Sequence, residues 1–135
     1  MKSFSLKIVT PDGLLFDGSA EELVVRTTSG DIGILADHID CVMPLGMGEA
    51  MIISDGQKRY GACIGGMLSV VKGEVTLVPT TFEWAENIDT ERAIASEGRA
   101  KSVLSDKTST NTDFVLAEAR LKRALVRKGV ASRIN

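Results

Sequence analysis

The chain has 135 residues, 44% of them hydrophobic and 25% charged, with a formal net charge of −2. That length allows one core and an appendage, and the absence of any run of 18 apolar residues excludes direct membrane insertion by a spanning segment. An acidic balance with only 4% aromatic residues argues against a nucleic-acid partner, because stacking platforms are scarce.

The opening stretch MKSFSLKIVTPDG lacks the long apolar segment of a secretory signal, so the chain is expected to stay in the compartment where it is made. From there, short apolar runs alternate with turn chemistry. FSLKIVT sets Phe4, Leu6 and Ile8 on one face before Pro11-Asp12-Gly13; LLF is closed by Asp17-Gly18; ELVVRT sets Leu23 and Val25 on one face before Ser29-Gly30-Asp31. The glycines of SGDIGIL and GGM are expected in tight turns and bulges rather than around a phosphate. AMIIS, Asp55-Gly56, RYGACI, Gly65-Gly66, MLSVV, Lys72-Gly73 and EVTLVP continue the series of strands and hairpin signals. With no helix-length segment inside it, the region 1–84 reads as an antiparallel β-sandwich or flattened barrel. Cys41 and Cys63 lie in apolar or glycine-bounded surroundings without C-x-x-C spacing, which predicts buried reduced thiols rather than a disulfide or metal site.

After Pro79 the period changes from 2 to 3.6, and residues 85–135 read as a two-helix hairpin. Residues 89–104 place Ala93, Ala100, Val103 and Leu104 on one stripe, and residues 113–128 place Phe114, Ala117, Leu121, Ala124 and Leu125 on another. Asp89 is the expected cap of the first helix, Asp113 or Thr112 of the second, and Gly129 its expected end. The stripes are thin and alanine-rich and Gly98 weakens the first helix, so the hairpin is expected to be loosely held and mobile.

Charge divides the chain in the same place. Residues 1–84 carry six Lys and Arg against eleven Asp and Glu, a balance of −5, whereas residues 85–135 carry ten against seven, a balance of +3. Arg92 and Arg99 are seven apart on one face of the first helix, and Arg120, Arg123 and Arg127 share a face of the second. Turned inward, they would converge beside Asp89 and Glu83 and require an anion. A nucleotide phosphate fits a set of guanidinium forks, and the carboxylates fit an amino or ribose hydroxyl group. A solvated basic face paired with acidic neighbours fits the spacing as well. His38 is the only histidine, and neither a G-x-S-x-G elbow nor a P-loop pattern occurs, so no catalytic or metal-binding set is evident.

The order VTPDGLLFDG, SGDIGILADH, GGMLSVVKGEVTLVP, IDTERA and LKRALVRKGVA resembles, over nearly the whole chain, the epsilon subunit of the F-type ATP synthases. That resemblance implies a non-catalytic rotor subunit on the cytoplasmic side of a bacterial membrane. Its sandwich would join the central stalk, meeting the gamma subunit and the membrane rotor c-ring, with Asp31 and His38 on the facing side. Read from the residues alone, Asp31 is equally a turn cap and His38 an ordinary loop residue.

The resemblance also implies a regulatory ATP site on the folded hairpin. The pattern of isoleucine or leucine followed by Asp-x-x-Arg-Ala falls on Ile88, Asp89, Arg92 and Ala93. Further arginines of the pattern match Arg99, Arg123 and Arg127, and Glu83 stands where relatives place a carboxylate near the nucleotide. Lys128 and Gly129 depart from relatives that continue the helix with leucine. ATP would favour the compact hairpin; the extended one would reach acidic loops of the catalytic beta subunits and block hydrolysis. The magnesium requirement is left open. So are two alternatives, the same subunit without ATP binding and a freestanding adaptor with a basic helical tail.

Overall fold

The computed structural model describes residues 2–134. Phe4, Leu6 and Ile8 alternate with solvent-facing Ser5 and Lys7, and this period makes Phe4–Thr10 a strand, β1, with one face buried. Nine more strands follow: β2 (Gly13–Ala20), β3 (Glu22–Thr27), β4 (Gly30–Ile34), β5 (Cys41–Pro44), β6 (Met47–Ser54), β7 (Gln57–Ile64), β8 (Met67–Val71), β9 (Glu74–Val78) and β10 (Thr81–Trp84). They form two five-stranded sheets, ordered β2-β1-β9-β8-β5 and β10-β7-β6-β3-β4. Leu6, Ile8, Leu68 and Leu77 of the first sheet and Leu23, Val25, Ile34 and Ile52 of the second are fully buried in one core cluster. Each such side chain contributes about 1.5–3 kcal/mol on leaving water, which makes the sandwich the stable part of the chain.

Two hairpins follow turn chemistry closely. Asp55 and Gly56 both have positive φ, 53° and 75°, between paired Ser54 and Gln57. Lys72 and Gly73, at 50° and 80°, do the same between Val71 and Glu74. Both are two-residue turns of the type whose twist matches the flanking strands.

The sheets also correct the sequence reading at several points. β1 and β9 pair in parallel, so the sandwich is not wholly antiparallel. No short turn joins these two strands, and nothing in the local chain dictates their direction. Asp17-Gly18 is not a turn. It lies inside β2, where Lys7 pairs with Asp17 and Leu6 with Gly18, and the ladder to β1 outweighs the local turn preference. SGDIGIL contributes the strand β4, and the short strands β5 and β10 were not anticipated. β10 lies beyond Pro79, where a helical period was expected; Phe82 and Trp84 alternate into the core, their rings 4.9 Å apart and edge to face. Cys63 is buried and free, and Cys41 is free but only half-buried.

The chain divides into two compact units, one ending at Trp84 and one beginning at Ala85. In the second, a short 3-10 turn at Ala85–Asn87 precedes two helices, α1 (Thr90–Ser105) and α2 (Asn111–Ala131). Asp89 caps α1, accepting the Arg92 backbone N–H at 3.1 Å. The cap of α2 is Thr110, not Thr112 or Asp113. Thr110 Oγ1 accepts the Asp113 N–H at 3.1 Å and Asp113 Oδ2 accepts the Thr110 N–H at 3.0 Å, a reciprocal capping box. Nor does Gly129 end α2, which runs on to Ala131 because Val130 and Ala131 are both buried. That burial outweighs the roughly 1 kcal/mol cost of an internal glycine.

Candidate functional site

α1 and α2 pack through a seam of small residues. Ala93 and Ala100 of α1 and Ala117 and Ala124 of α2 are all at most 3% exposed. Val103, Leu104, Phe114 and Leu121 are half-buried, while Leu125, expected on the stripe, is 46% exposed. It sits about 100° around the helix from Ala124, off the face that meets α1. Alanines let the two backbones approach but bury little area, at about 0.8 kcal/mol per methyl-sized group. The hairpin is therefore weakly held by its apolar contacts.

A charged clasp supplements the seam. Glu97, at i+4 from Ala93 on the same face, is buried, and its carboxylate accepts from Lys128 Nζ of α2 at 2.8 Å and pairs with Lys101 Nζ one turn on at 2.9 Å. The Lys128 hydrogen bond first, and that of Lys101 second, hold the Glu97 carboxyl below its usual range. Sequence periodicity passed over Glu97 because a carboxylate in a core stripe looks like an error; the signal was the lysine four residues later.

Between the helices lies a cleft of about 790 Å³. Arg99 reaches it from α1, and Arg120, Arg123 and Arg127 reach it from α2. Ala100, Ala117 and Ala124 of the seam, with Val103 and Leu116, supply its apolar lining. Asp106, Thr108, Ser109 and Asp113 line it at the loop that joins the helices, and Ser96 lines it on α1. Both of these carboxylates are engaged by the loop. Asp106 Oδ1 accepts the Thr108 N–H at 2.9 Å and its hydroxyl at 2.7 Å, and Asp113 is held by the capping box. These hydrogen bonds, the backbone N–H in each case foremost, keep both carboxyls below the usual carboxylate range. Arg99, Arg120 and Arg123 make no side-chain ion pair or hydrogen bond among the described residues. Three guanidiniums without an ion pair among the described residues, in a cleft whose carboxylates are engaged by the loop, have the chemistry to accept an anion.

The expected site residues fall into three groups. Arg99, Arg123 and Arg127 are brought together by the cleft, and Arg120, grouped with them by spacing alone, joins them. Ile88, Asp89, Arg92 and Ala93 lie at the other end of α1 and do not line it: Ala93 is in the seam, Asp89 is the cap, Ile88 is half-buried and Arg92 is exposed. Arg92 is two turns from Arg99, roughly 10 Å along the axis. Glu83 is on β10, in the sandwich unit, opposite Ala62. The resemblance did not assign Arg120, Asp106, Thr108, Ser109 or Asp113.

In the sandwich, Asp31 is on β4 rather than capping a turn. It pairs across the ladder with Arg26, whose Nε donates to its carboxylate at 2.7 Å, both side chains being more than half exposed. The Arg26 side chain lies against Gly46 and Gly48, where any Cβ would crowd it. His38 is in the loop after β4, its backbone N–H donating to Leu35 and its Nδ1 2.8 Å from the Ile39 carbonyl. Among the described residues no group of three or more His, Cys, Asp or Glu side chains is arranged to hold a metal ion.

Fold and cleft together define a class of protein: a β-sandwich followed by a helical hairpin that carries a basic interhelical site. Residues 3–85 match the beta-sandwich domain of the ATP synthase Delta/Epsilon chain, and residues 86–131 match its long alpha-helix domain. The ATP synthase epsilon chain of Bacillus velezensis is 44% identical over 131 residues, 97% of this chain and 98% of that one. That of Caldanaerobacter subterraneus subsp. tengcongensis is 41% identical over 133 residues, covering 98% and 96%. The chain belongs to the ATP synthase epsilon-chain family. Solved structures share its fold. A chain in the Euglena gracilis mitochondrial ATP synthase (OSCP/F1/c-ring) matches with TM-score 0.82 at 20% identity, over 98% of this chain and 82% of that one. A chain of the Tetrahymena thermophila mitochondrial ATP synthase central stalk and c-ring matches with TM-score 0.66 at 12% identity, over 96% and 97%.

Proposed function

We propose that the protein is the non-catalytic epsilon subunit of a bacterial F-type ATP synthase, with its sandwich seated in the central stalk against gamma and the rotor c-ring. Full-length similarity to chains named ATP synthase epsilon chain supports this role. Asp31 and His38 lie on β4 and in the loop that follows it, and they are the contacts we assign to the rotor side. No helix among the described residues is long and apolar enough to cross a membrane; the subunit is assigned to the complex's periphery, on the cytoplasmic side, as part of the same proposal.

The hairpin regulates the motor by binding ATP in its compact form. The observation that carries this reading is the cleft in which Arg99, Arg120 and Arg123 have no acidic partner among the described residues. A nucleotide at 100 times its dissociation constant stabilises the form that binds it by about 2.7 kcal/mol. That is comparable to what an alanine seam supplies, so ATP can decide whether the hairpin stays closed. Opened, its basic face meets acidic loops of the beta subunits and hydrolysis stops.

The assembly role is tested by purifying the chain with an affinity tag from its native membranes. Gamma and rotor-ring subunits should co-purify. Recovery without any ATP synthase subunit would overturn the assignment and favour a freestanding adaptor.

A further inference from the structure

The turn that joins β3 to β4 is fixed more firmly than an exposed turn requires. Thr27, only 6% exposed, accepts the Ser29 N–H on its hydroxyl at 3.1 Å and donates that hydroxyl to the Gly30 carbonyl at 2.7 Å. The Thr28 N–H donates to the Pro44 carbonyl at 3.1 Å and the Gly46 N–H to the Arg26 carbonyl at 3.0 Å, which ties the turn to the segment that leads into β6. Arg26 and Asp31 face each other across this ladder. The aliphatic stem of Arg26 lies on two glycines: a Cβ at Gly48 would stand 2.5 Å from the Arg26 Cβ, and one at Gly46 3.3 Å from its Cγ. With the stem seated there, the guanidinium meets the carboxylate along an edge, Nε to Oδ1 at 2.7 Å and Nη2 to Oδ2 at 3.5 Å. An ordinary exposed ion pair must hold two long side chains in one geometry, and it adds little to stability. Here the glycines and the turn set the geometry beforehand, and what the pair gains is a surface carboxylate of fixed orientation.

We propose that Arg26 is a positioning residue for the rotor contact of Asp31: seated on Gly46 and Gly48, it holds the Asp31 carboxylate ready to dock. The inference rests on the reading of Asp31 as a residue that faces the rotor, and it names what prepares that residue. Nε takes up Oδ1, whereas Oδ2, 3.5 Å from Nη2, keeps acceptor capacity for a donor on the partner. A carboxylate that is already ordered loses less conformational freedom on docking than a free one, and the association tightens by that difference. Arg26 therefore acts on the partner through Asp31 and not by touching it.

The test is competition for the native synthase complex stripped of this subunit. Full-length chains carrying Arg26→Gln, Arg26→Lys, Asp31→Asn, or Arg26→Gln with Asp31→Asn, displace a tagged wild-type chain, and the urea midpoint of each is measured alongside. Both side chains are more than half exposed, so the midpoints should match the wild type. Arg26→Gln should weaken the association by about two- to tenfold, the freedom of one immobilised side chain. Arg26→Lys should lose less, because an ammonium group still meets the carboxylate. In the Asp31→Asn background Arg26→Gln should have no further effect, since residues that act as one unit are not additive. Losses that multiply in the double variant overturn the inference, as does an Arg26→Gln loss that follows a lowered urea midpoint. Loss in Asp31→Asn with none in Arg26→Gln overturns the inference and leaves Asp31 as a rotor contact. An Asp31→Asn chain that competes like the wild type removes both.

Discussion

Replacing Ala124 by leucine tests whether the alanine seam sets the strength of the hairpin. Ala124 is 1% exposed, as closed as Ala117 two turns earlier on α2 and Ala100 of α1, at 2% and 3%. Ala124 is closed by the seam on one side and lines the cleft on the other, so the part of an isobutyl group that meets the seam pushes α1 and α2 apart, at a cost of about 1–3 kcal/mol for overpacking. A change of that size lowers the compact population relative to open forms by roughly 5- to 150-fold. Hydrogen exchange of α1 and α2 backbone amides reads this directly, since protection falls by the same factor. Apparent ATP affinity falls as well once the compact form ceases to dominate, because ligand binds only the competent fraction. Ala95→Leu is the control: Ala95 is exposed on α1, and a surface change of this kind is worth within about 0.5 kcal/mol. If Ala124→Leu exchanges like Ala95→Leu, the seam does not hold the helices and the switch has another basis.

Gly66→Ala should destabilise the sandwich by about 3 kcal/mol or more. Gly66 has φ +96°, and a Cβ would run into the Val78 carbonyl and lie 2.6 Å from the Pro79 Cα, both backbone atoms that cannot swing aside; the urea midpoint measures it, and an unchanged midpoint refutes it. Acid should loosen the hairpin through Glu97, whose carboxyl is lowered chiefly by Lys128. A lowered folded value means the stabilisation is complete above the unfolded glutamate value, near about 4.3, and is lost as pH falls through the folded one. The stability difference between wild type and Lys128→Met, followed by helical circular dichroism, should thus be largest at neutral pH and shrink in acid; a constant offset contradicts the clasp. Burial pushes the Cys63 thiol up to about 12, so a thiol reagent at pH 8 should label half-buried Cys41 first and reach Cys63 only on unfolding.

Much of the fold was legible because its determinants are local. Phe4, Leu6 and Ile8 alternate, Asp55-Gly56 and Lys72-Gly73 supply two positive-φ residues in a row, and Ala93 and Ala100 recur at helical spacing. The failures occurred where distant pairing overrode local preference. β1 runs parallel to β9, more than sixty residues later in the chain, and Asp17-Gly18 is straightened by its ladder to β1. The helix ends were misplaced for a similar reason: Thr110 outcompetes Asp113 as cap by bonding with it, and buried Val130 and Ala131 carry α2 past Gly129. At the site, spacing put Arg120, Arg123 and Arg127 on one face, and the cleft brings Arg99 to them. The resemblance supplied Arg92 and Asp89 as neighbours, but spacing along one helix could not say where a cleft between two helices lies. Lys128, which the resemblance set apart from its pattern, is paired with buried Glu97, a contact that only the packed hairpin reveals.

The central claim is that the hairpin binds ATP through its interhelical arginines. Titration of the full chain with ATP, alongside Arg123→Ala, tests it most directly. The account predicts saturable binding by the wild type that weakens by about 1.5–3 kcal/mol in the variant, the value of a hydrogen bond to a charged group. An absence of heat at millimolar ATP, or equal affinity in Arg123→Ala, would contradict it and return these arginines to a solvated basic face.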